Sequence, residues 1–198
     1  MKHIAVYCGS SFGASEVYKE SAKQLGLELV KRNITLVYGG ASVGLMGTVA
    51  DTVLNAGGEV IGVIPNLLEE REISHSSLTK LYRVNTMHER KQKMADLADG
   101  FITLPGGPGT LEEFAEVFTW AQLGIHKKPI GLLNINGYYD SLITFFKHMS
   151  EEQFLQKRYA DMAIIDPNPA SLIEQFHSYQ APSIKTYVKN DETKIELI

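Results

Sequence analysis

Short, unbroken apolar runs rich in β-branched residues recur along the chain, and each is followed by a stretch whose apolar positions have helical spacing. A strand that is apolar on both sides has to be covered on both faces. Strands of that kind alternating with helices predict an α/β domain built on a parallel sheet. Residues 3–8, 34–38, 59–64, 81–84, 101–104, 130–133 and 162–165 read as strands. Residues 15–32, 44–56, 87–98, 111–123, 138–149 and 169–179 read as helices, with Ser15 as an N-cap, and a further short helix is expected after Glu151. The polar stretch 66–79 reads as irregular.

The chain has 198 residues, enough to bury one real core. There is no internal repeat and no linker-like composition, so residues 1–180 are expected to form one nucleotide-binding catalytic domain and 181–198 a polar surface arm. A net charge of -4 argues against nucleic acid or an anionic membrane as the main partner, since both select a basic face. The single cysteine, Cys8, cannot form an internal disulfide, and it ends an apolar run, so it reads as buried filler in a cytoplasmic protein. The N-terminus lacks the longer apolar stretch of a signal peptide, and no run is long enough to span a bilayer.

Ligands of such sheets sit at the carboxyl ends of the strands, and that is where this chain places its glycines. Leu104-Pro-Gly-Gly-Pro-Gly-Thr110 follows a strand and opens a helix. Gly106, Gly107 and Gly109 let backbone approach a ligand, and a helix start adds free N–H groups and the positive end of a dipole. Together these suit a phosphate, with Thr110 as an N-cap or hydroxyl donor. Gly39 and Gly40 open a second strand–glycine–helix junction, and Gly9-Ser10-Ser11 follows the first strand. Tight turns alone would explain one such loop; three at strand ends favour a nucleotide-like ligand. No GKS or GKT follows the glycines, and the first turn is not GxGxxG, so neither a P-loop NTPase nor a dinucleotide dehydrogenase is expected.

Thr86-Met-His-Glu-Arg-Lys-Gln-Lys-Met94 opens a helix whose apolar face contains Met87, Met94, Leu97 and Ala98. Thr86 and Glu89 have capping-box spacing. Arg90 and Lys91 flank the apolar face, and a cation on the buried side needs a carboxylate or phosphate partner unless its stem merely snorkels to water. Glu113 shares a helix stripe with Val117 and Trp120, yet it also has capping-box spacing from Thr110, and both readings stand on pattern alone. The six histidines are scattered, and no cluster has metal-ligand spacing.

The stretches PGGPGTLEE at 105–113, MHERKQKM at 87–94 and GGASVGLMG at 39–47 resemble the signature of the LOG proteins, the cytokinin riboside 5'-monophosphate phosphoribohydrolases. The resemblance runs from the first strand to about Met149. It implies a Rossmann-like, doubly wound parallel sheet, a homodimer or a larger assembly of dimers, and release of the base from an N6-modified AMP, leaving ribose 5-phosphate, with neither metal nor cofactor. Carried over by motif, Arg90 and Glu113 are the catalytic pair. Gly107, Gly109 and Thr110 hold the 5'-phosphate, Glu72, Lys91 and Thr119 contact the nucleotide, and Met87 lies near the base. Where this chain has Pro108, the family often carries an aromatic residue.

Three alternatives stand beside this reading, and only the first shares every residue named. A general AMP or nucleoside monophosphate nucleosidase would differ only in its base pocket. A lysine decarboxylase, a label borne by relatives, would need pyridoxal phosphate on a lysine and an acidic partner for the ring nitrogen, and no such constellation stands out. A non-catalytic nucleotide or molybdenum-cofactor carrier would have no need of Glu113.

Overall fold

The computed structural model describes residues 1–69 and 74–183. Seven parallel strands form one sheet: β1 (His3–Tyr7), β2 (Thr35–Tyr38), β3 (Val60–Pro65), β4 (Lys80–Val84), β5 (Gly100–Thr103), β6 (Ile130–Leu133) and β7 (Ala163–Asp166). Their order is β4-β3-β2-β1-β5-β6-β7. The chain winds outward one way from β1 and then returns to add β5 on its other side, so the topological switch point lies between β1 and β5. The helices are α1 (Glu16–Lys31), α2 (Gly44–Asn55), the single turn α3 (Asn66–Glu69), α4 (Met87–Leu97), α5 (Pro108–Gln122), α6 (Asp140–Glu151), the short α7 (Lys157–Ala160) and α8 (Pro169–His177).

Alternation along each strand divides the core into two layers. Ile4 and Val6 of β1, with Cys8 just after it, join Ala22, Leu25 and Leu29 of α1, Val49 and Val53 of α2, and Leu172 and Phe176 of α8. Ala5 and Tyr7 face the other way, onto Met94 of α4 and Phe114 and Phe118 of α5. The expected α/β sheet covered on both faces is therefore present. Cys8 is buried, and burial pushes its thiol pKa far up, as expected of filler.

Local sequence accounts for most element starts. Ser15 accepts a hydrogen bond from Val17 N and caps α1. Asn168 does the same for α8 through Ala170 N and Ser171 N, with Pro169 at the first helical position. Several boundaries differ from the sequence reading. The stretch 66–79 contains the turn α3. The helix expected from residue 138 begins at Asp140, after a 3-10 turn at Ile135–Gly137. The largest shift is in α5, which begins at Pro108 rather than Leu111. Proline fits there because its missing N–H would have had no partner in the helix and its φ is already helical. The N-cap is therefore Gly107, and Thr110 lies inside the first turn. Residues 184–198, most of the expected C-terminal arm, lie outside the described residues.

Candidate active site

The carboxyl ends of β1, β2 and β5 bring the glycine loops together at the switch point. Gly9 N donates to Pro105 O at 3.1 Å, joining the loops after β1 and β5, and Leu45 N donates to Gly9 O at 3.1 Å, docking the start of α2 beside them. Gly44 has φ +57°, and a Cβ there would overlap the Ser10 backbone. Backbone thus packs on backbone, which leaves Ser10 exposed at the junction.

The glycines of the 104–110 loop divide by role. A Cβ on Gly106 would run into the Thr110 hydroxyl and sit 2.8 Å from Gly9 N, so Gly106 makes room inside the protein. Gly107 and Gly109 have no atom within 4 Å of where a Cβ would be and face open space. Leu111 N, which donates to Gly107 O at 3.2 Å, begins the helical ladder. The N–H groups of Gly109 and Thr110 consequently have no partner within the helix, and they lie at its positive end. Thr110 is buried. This is a surface on which a phosphate group can rest against backbone donors.

Arg90 reaches the same place from α4. Thr86 caps that helix by accepting from Glu89 N at 3.1 Å, while the Glu89 carboxylate accepts from Asn85 N at 2.8 Å. The expected capping role of Glu89 is therefore realised, with the carboxylate reaching one residue further back than in a capping box. One position on, Arg90 is only 7% exposed. Its guanidinium lies against Gly39, where a Cβ would overlap Nη2. Nη1 donates to the Met87 sulfur at 3.8 Å, Nη2 stands 3.9 Å from Glu113 Oε1, and Nε is buried without a partner. A buried guanidinium carries five donors and normally satisfies them. Among the described residues one sulfur and one distant carboxylate are its partners, an arrangement that suits a polar or anionic ligand.

Glu113 does not cap α5, because Gly107 does. That removes the structural role its spacing from Thr110 suggested. Its side chain is 12% exposed. Burial raises its pKa to about 7; Arg90 opposes that rise, Glu112 adds to it, Lys91 opposes it and Glu116 adds to it. Near neutrality Glu113 can therefore gain or lose a proton.

The other expected contacts are placed unevenly. Lys91 is buried, and its Nζ sits 2.5 Å from Glu112 and 3.1 Å from Glu116, so α5 carboxylates already engage it, and the Glu112 bond raises its pKa. Met87 is exposed beside Arg90. Gly40 has φ +85° and its carbonyl accepts from His75 N at 3.0 Å, so it turns the chain. Thr119 is exposed and its hydroxyl donates to Ala115 O; nine residues along α5, it stands roughly 13 Å from Thr110. Glu72 lies outside the described residues. The sequence reading missed Glu112 and Glu116 as partners of Lys91. It also missed Tyr138 and Tyr139, whose hydroxyls donate to Gly106 O and Leu104 O at 2.6 Å each. The i, i+4 spacing of Glu112 and Glu116 was a usable signal for the first pair; nothing local marks the tyrosines. Among the described residues no group of histidine, cysteine and carboxylate side chains could hold a metal, and no helix is long and apolar enough to cross a membrane.

Residues 46–176 match the family described as "Possible lysine decarboxylase". The chain is 51% identical over 179 residues to the Arabidopsis thaliana cytokinin riboside 5'-monophosphate phosphoribohydrolase LOG7, covering 90% of this chain and 82% of that protein. It is 50% identical to Arabidopsis thaliana LOG1, covering 90% of this chain and 84% of that one. Among solved structures, a Moco carrier protein from Chlamydomonas reinhardtii superposes with a TM-score of 0.69 over 89% of this chain and 98% of its own, at 20% identity, a likeness of fold alone. With half its residues shared across nine-tenths of its length, the chain belongs to the LOG family of phosphoribohydrolases.

Proposed function

We propose that the protein hydrolyses the N-glycosidic bond of N6-modified adenosine 5'-monophosphates, with Arg90 and Glu113 as the catalytic pair. Water adds at C1' of the ribose and the adenine base leaves with a proton, giving free base and ribose 5-phosphate. The observation that carries this reading is the under-satisfied Arg90 guanidinium facing Glu113, a carboxyl with a pKa of about 7, next to an open helix N-terminus. Breaking this bond builds positive charge on the ribose ring. The Glu113 carboxylate stabilises that charge or takes the proton of the attacking water. Arg90, permanently charged, orients the substrate and favours the ionised form of Glu113. Gly107, Gly109 and Thr110 take the 5'-phosphate, with Gly106, Gly39, Gly40 and Ser10 shaping the surrounding backbone. Met87 borders the base.

Lys91 is assigned to the same site through Glu112 and Glu116. Thr119, exposed and far along α5, fits contact with a nucleotide held by a second subunit, and Leu123 and Ile125 beyond it, 61% and 65% exposed, suit the apolar part of a homodimer interface. The cytoplasm is the proposed site of action.

Product analysis tests the activity. Incubation with N6-isopentenyl-AMP is expected to release free base and ribose 5-phosphate faster than incubation with AMP. Equal or faster release of adenine would establish a general nucleosidase, and no release from either would end the hydrolase reading. The pH profile tests the base. If the ionised form of Glu113 is active, kcat/KM falls as pH drops below about 7. That limb lies above the substrate phosphate's own second ionisation near ~6. A limb at the ordinary carboxylate range would remove Glu113 from the role.

A further inference from the structure

We propose that Tyr138 is a positioning residue for the phosphate end of the site, setting the direction of the Gly106–Gly107 peptide through its hydroxyl. The inference rests on the reading that the open N-terminus of α5 receives phosphate.

The device starts at the end of β6, next to β5 in the sheet. There the chain makes a tight turn in which Asn136 and Gly137 both have positive φ, 53° and 68°. Asn134 braces it: its side-chain oxygen accepts from Tyr139 N at 2.7 Å, and its amide donates to Asp140 Oδ1 at 2.8 Å. A Cβ on Gly137 would come within 2.6 Å of the Asp140 carboxylate, so the turn is closed tightly around these groups. It delivers two consecutive tyrosines onto the loop after β5. Tyr139, buried, donates to Leu104 O; Tyr138 donates to Gly106 O, both at 2.6 Å. Pro105 lies between the two anchored carbonyls.

The two hydroxyls do different work. Tyr139 is part of the core, and its bond satisfies a buried carbonyl. Tyr138 is 44% exposed, so little of its ring serves the core. The ring is nonetheless fixed, edge-on to Tyr18 at 5.8 Å and to Tyr139 at 5.0 Å. A trans peptide is planar, and its C=O and N–H point in opposite directions. Holding the Gly106 carbonyl toward Tyr138 therefore turns the Gly107 N–H the other way. Gly107 is the N-cap of α5 and borders open space. Gly106 is packed against Thr110 and Gly9, but Gly107 faces open space and has no side chain, so the Tyr138 hydroxyl is the side-chain contact that holds this peptide's orientation. Preorganised donors bind an anion more tightly than donors that must first be ordered.

The test is Tyr138→Phe, which keeps the ring and removes the donor, with Tyr139→Phe as the comparison. Binding of ribose 5-phosphate by calorimetry, competition by adenosine, kcat and thermal midpoint would be measured for all three proteins. Tyr138→Phe is expected to weaken ribose 5-phosphate binding and raise the nucleotide KM together, by roughly 3- to 10-fold. Its kcat should change by less than about two-fold, while adenosine competition and the thermal midpoint stay as in wild type. Tyr139→Phe should instead lower the thermal midpoint, because it strands a buried carbonyl. Unchanged ribose 5-phosphate binding in Tyr138→Phe would overturn the proposal, as would equal weakening of adenosine. If wild-type protein releases base yet does not bind ribose 5-phosphate, the phosphate reading of α5 has failed, and the role of Tyr138 goes with it.

Discussion

Glu113→Gln is expected to lower kcat by roughly 10²- to 10⁴-fold while nucleotide binding remains measurable. Glutamine keeps the shape of the side chain and loses only the charge and the proton. The donors at the start of α5 and the Arg90 guanidinium stay in place, so the loss should fall on turnover rather than affinity. The same substitution has a second, opposite consequence. The pKa of Glu113 is raised in the folded protein, from an ordinary 4.5 to about 7. A carboxyl raised on folding favours the native state while it is protonated. That contribution is complete below about 4.5 and is lost as pH climbs through about 7, because the unfolded chain ionises first. Over that window wild-type protein should lose up to roughly 3 kcal/mol from this group alone. A glutamine at this position cannot ionise, so the variant escapes the loss. Relative to wild type, the variant should therefore be more heat-stable at pH 8 than at pH 5. Thermal melts at the two values, together with the turnover assay, decide the matter. A variant that loses stability at pH 8 would show that Glu113 serves mainly as the structural partner of Arg90. Retained turnover would remove it from catalysis.

The two kinds of information in this site differ in how far apart their residues lie in the chain. The strand–glycine–helix junctions were legible because each is local: apolar runs end, glycines follow, and the helical period begins. The flanking position of Arg90 on α4 was legible for the same reason. Thr110 has the residue type of a cap without being one, because Gly107 followed by Pro108 starts a helix equally well with no capping side chain. With the cap moved, the competing structural role of Glu113 disappears, something its spacing could not decide. The division of labour among glycines was not legible at all. Gly106 accommodates Thr110, Gly39 accommodates Arg90, and Gly107 faces open space. In sequence they look alike. Their difference depends on what the sheet order brings against each one, and for Gly39 that is a side chain from a helix two strands further along. The tyrosine pair on the phosphate loop was hidden in the same way, since β5 and β6 must be neighbours before Tyr138 can meet Gly106.

Gly39→Ala should separate folding from function. A Cβ at this position would overlap Arg90 Nη2 and stand 2.6 Å from the Met46 terminal methyl. Both neighbours are ends of flexible side chains, so the conflict is relieved by moving them and not by moving backbone. The strand need not distort, and the thermal midpoint is expected to drop by no more than a few degrees. Arg90 has less freedom to adjust without consequence. Its guanidinium must swing off the Gly39 surface, which changes its 3.9 Å separation from Glu113 and its aim at the ligand. A displacement of about 1 Å in a positioning group can reduce turnover about 100-fold, and a fall of that size in kcat/KM is expected here. The acid limb should also move upward, because the arginine that favours the ionised carboxylate would be less well placed. Gly44→Ala is the contrasting case: its Cβ would strike the backbone of Ser10 and Ser11, and its φ of +57° is itself unfavourable for alanine, so that variant should lose stability before it loses chemistry. Wild-type kcat/KM in a folded Gly39→Ala protein would mean that the guanidinium can work from more than one place. A loss of activity with an unshifted acid limb would locate the damage in substrate orientation, leaving the ionisation of Glu113 to burial and the charges of Glu112, Lys91 and Glu116.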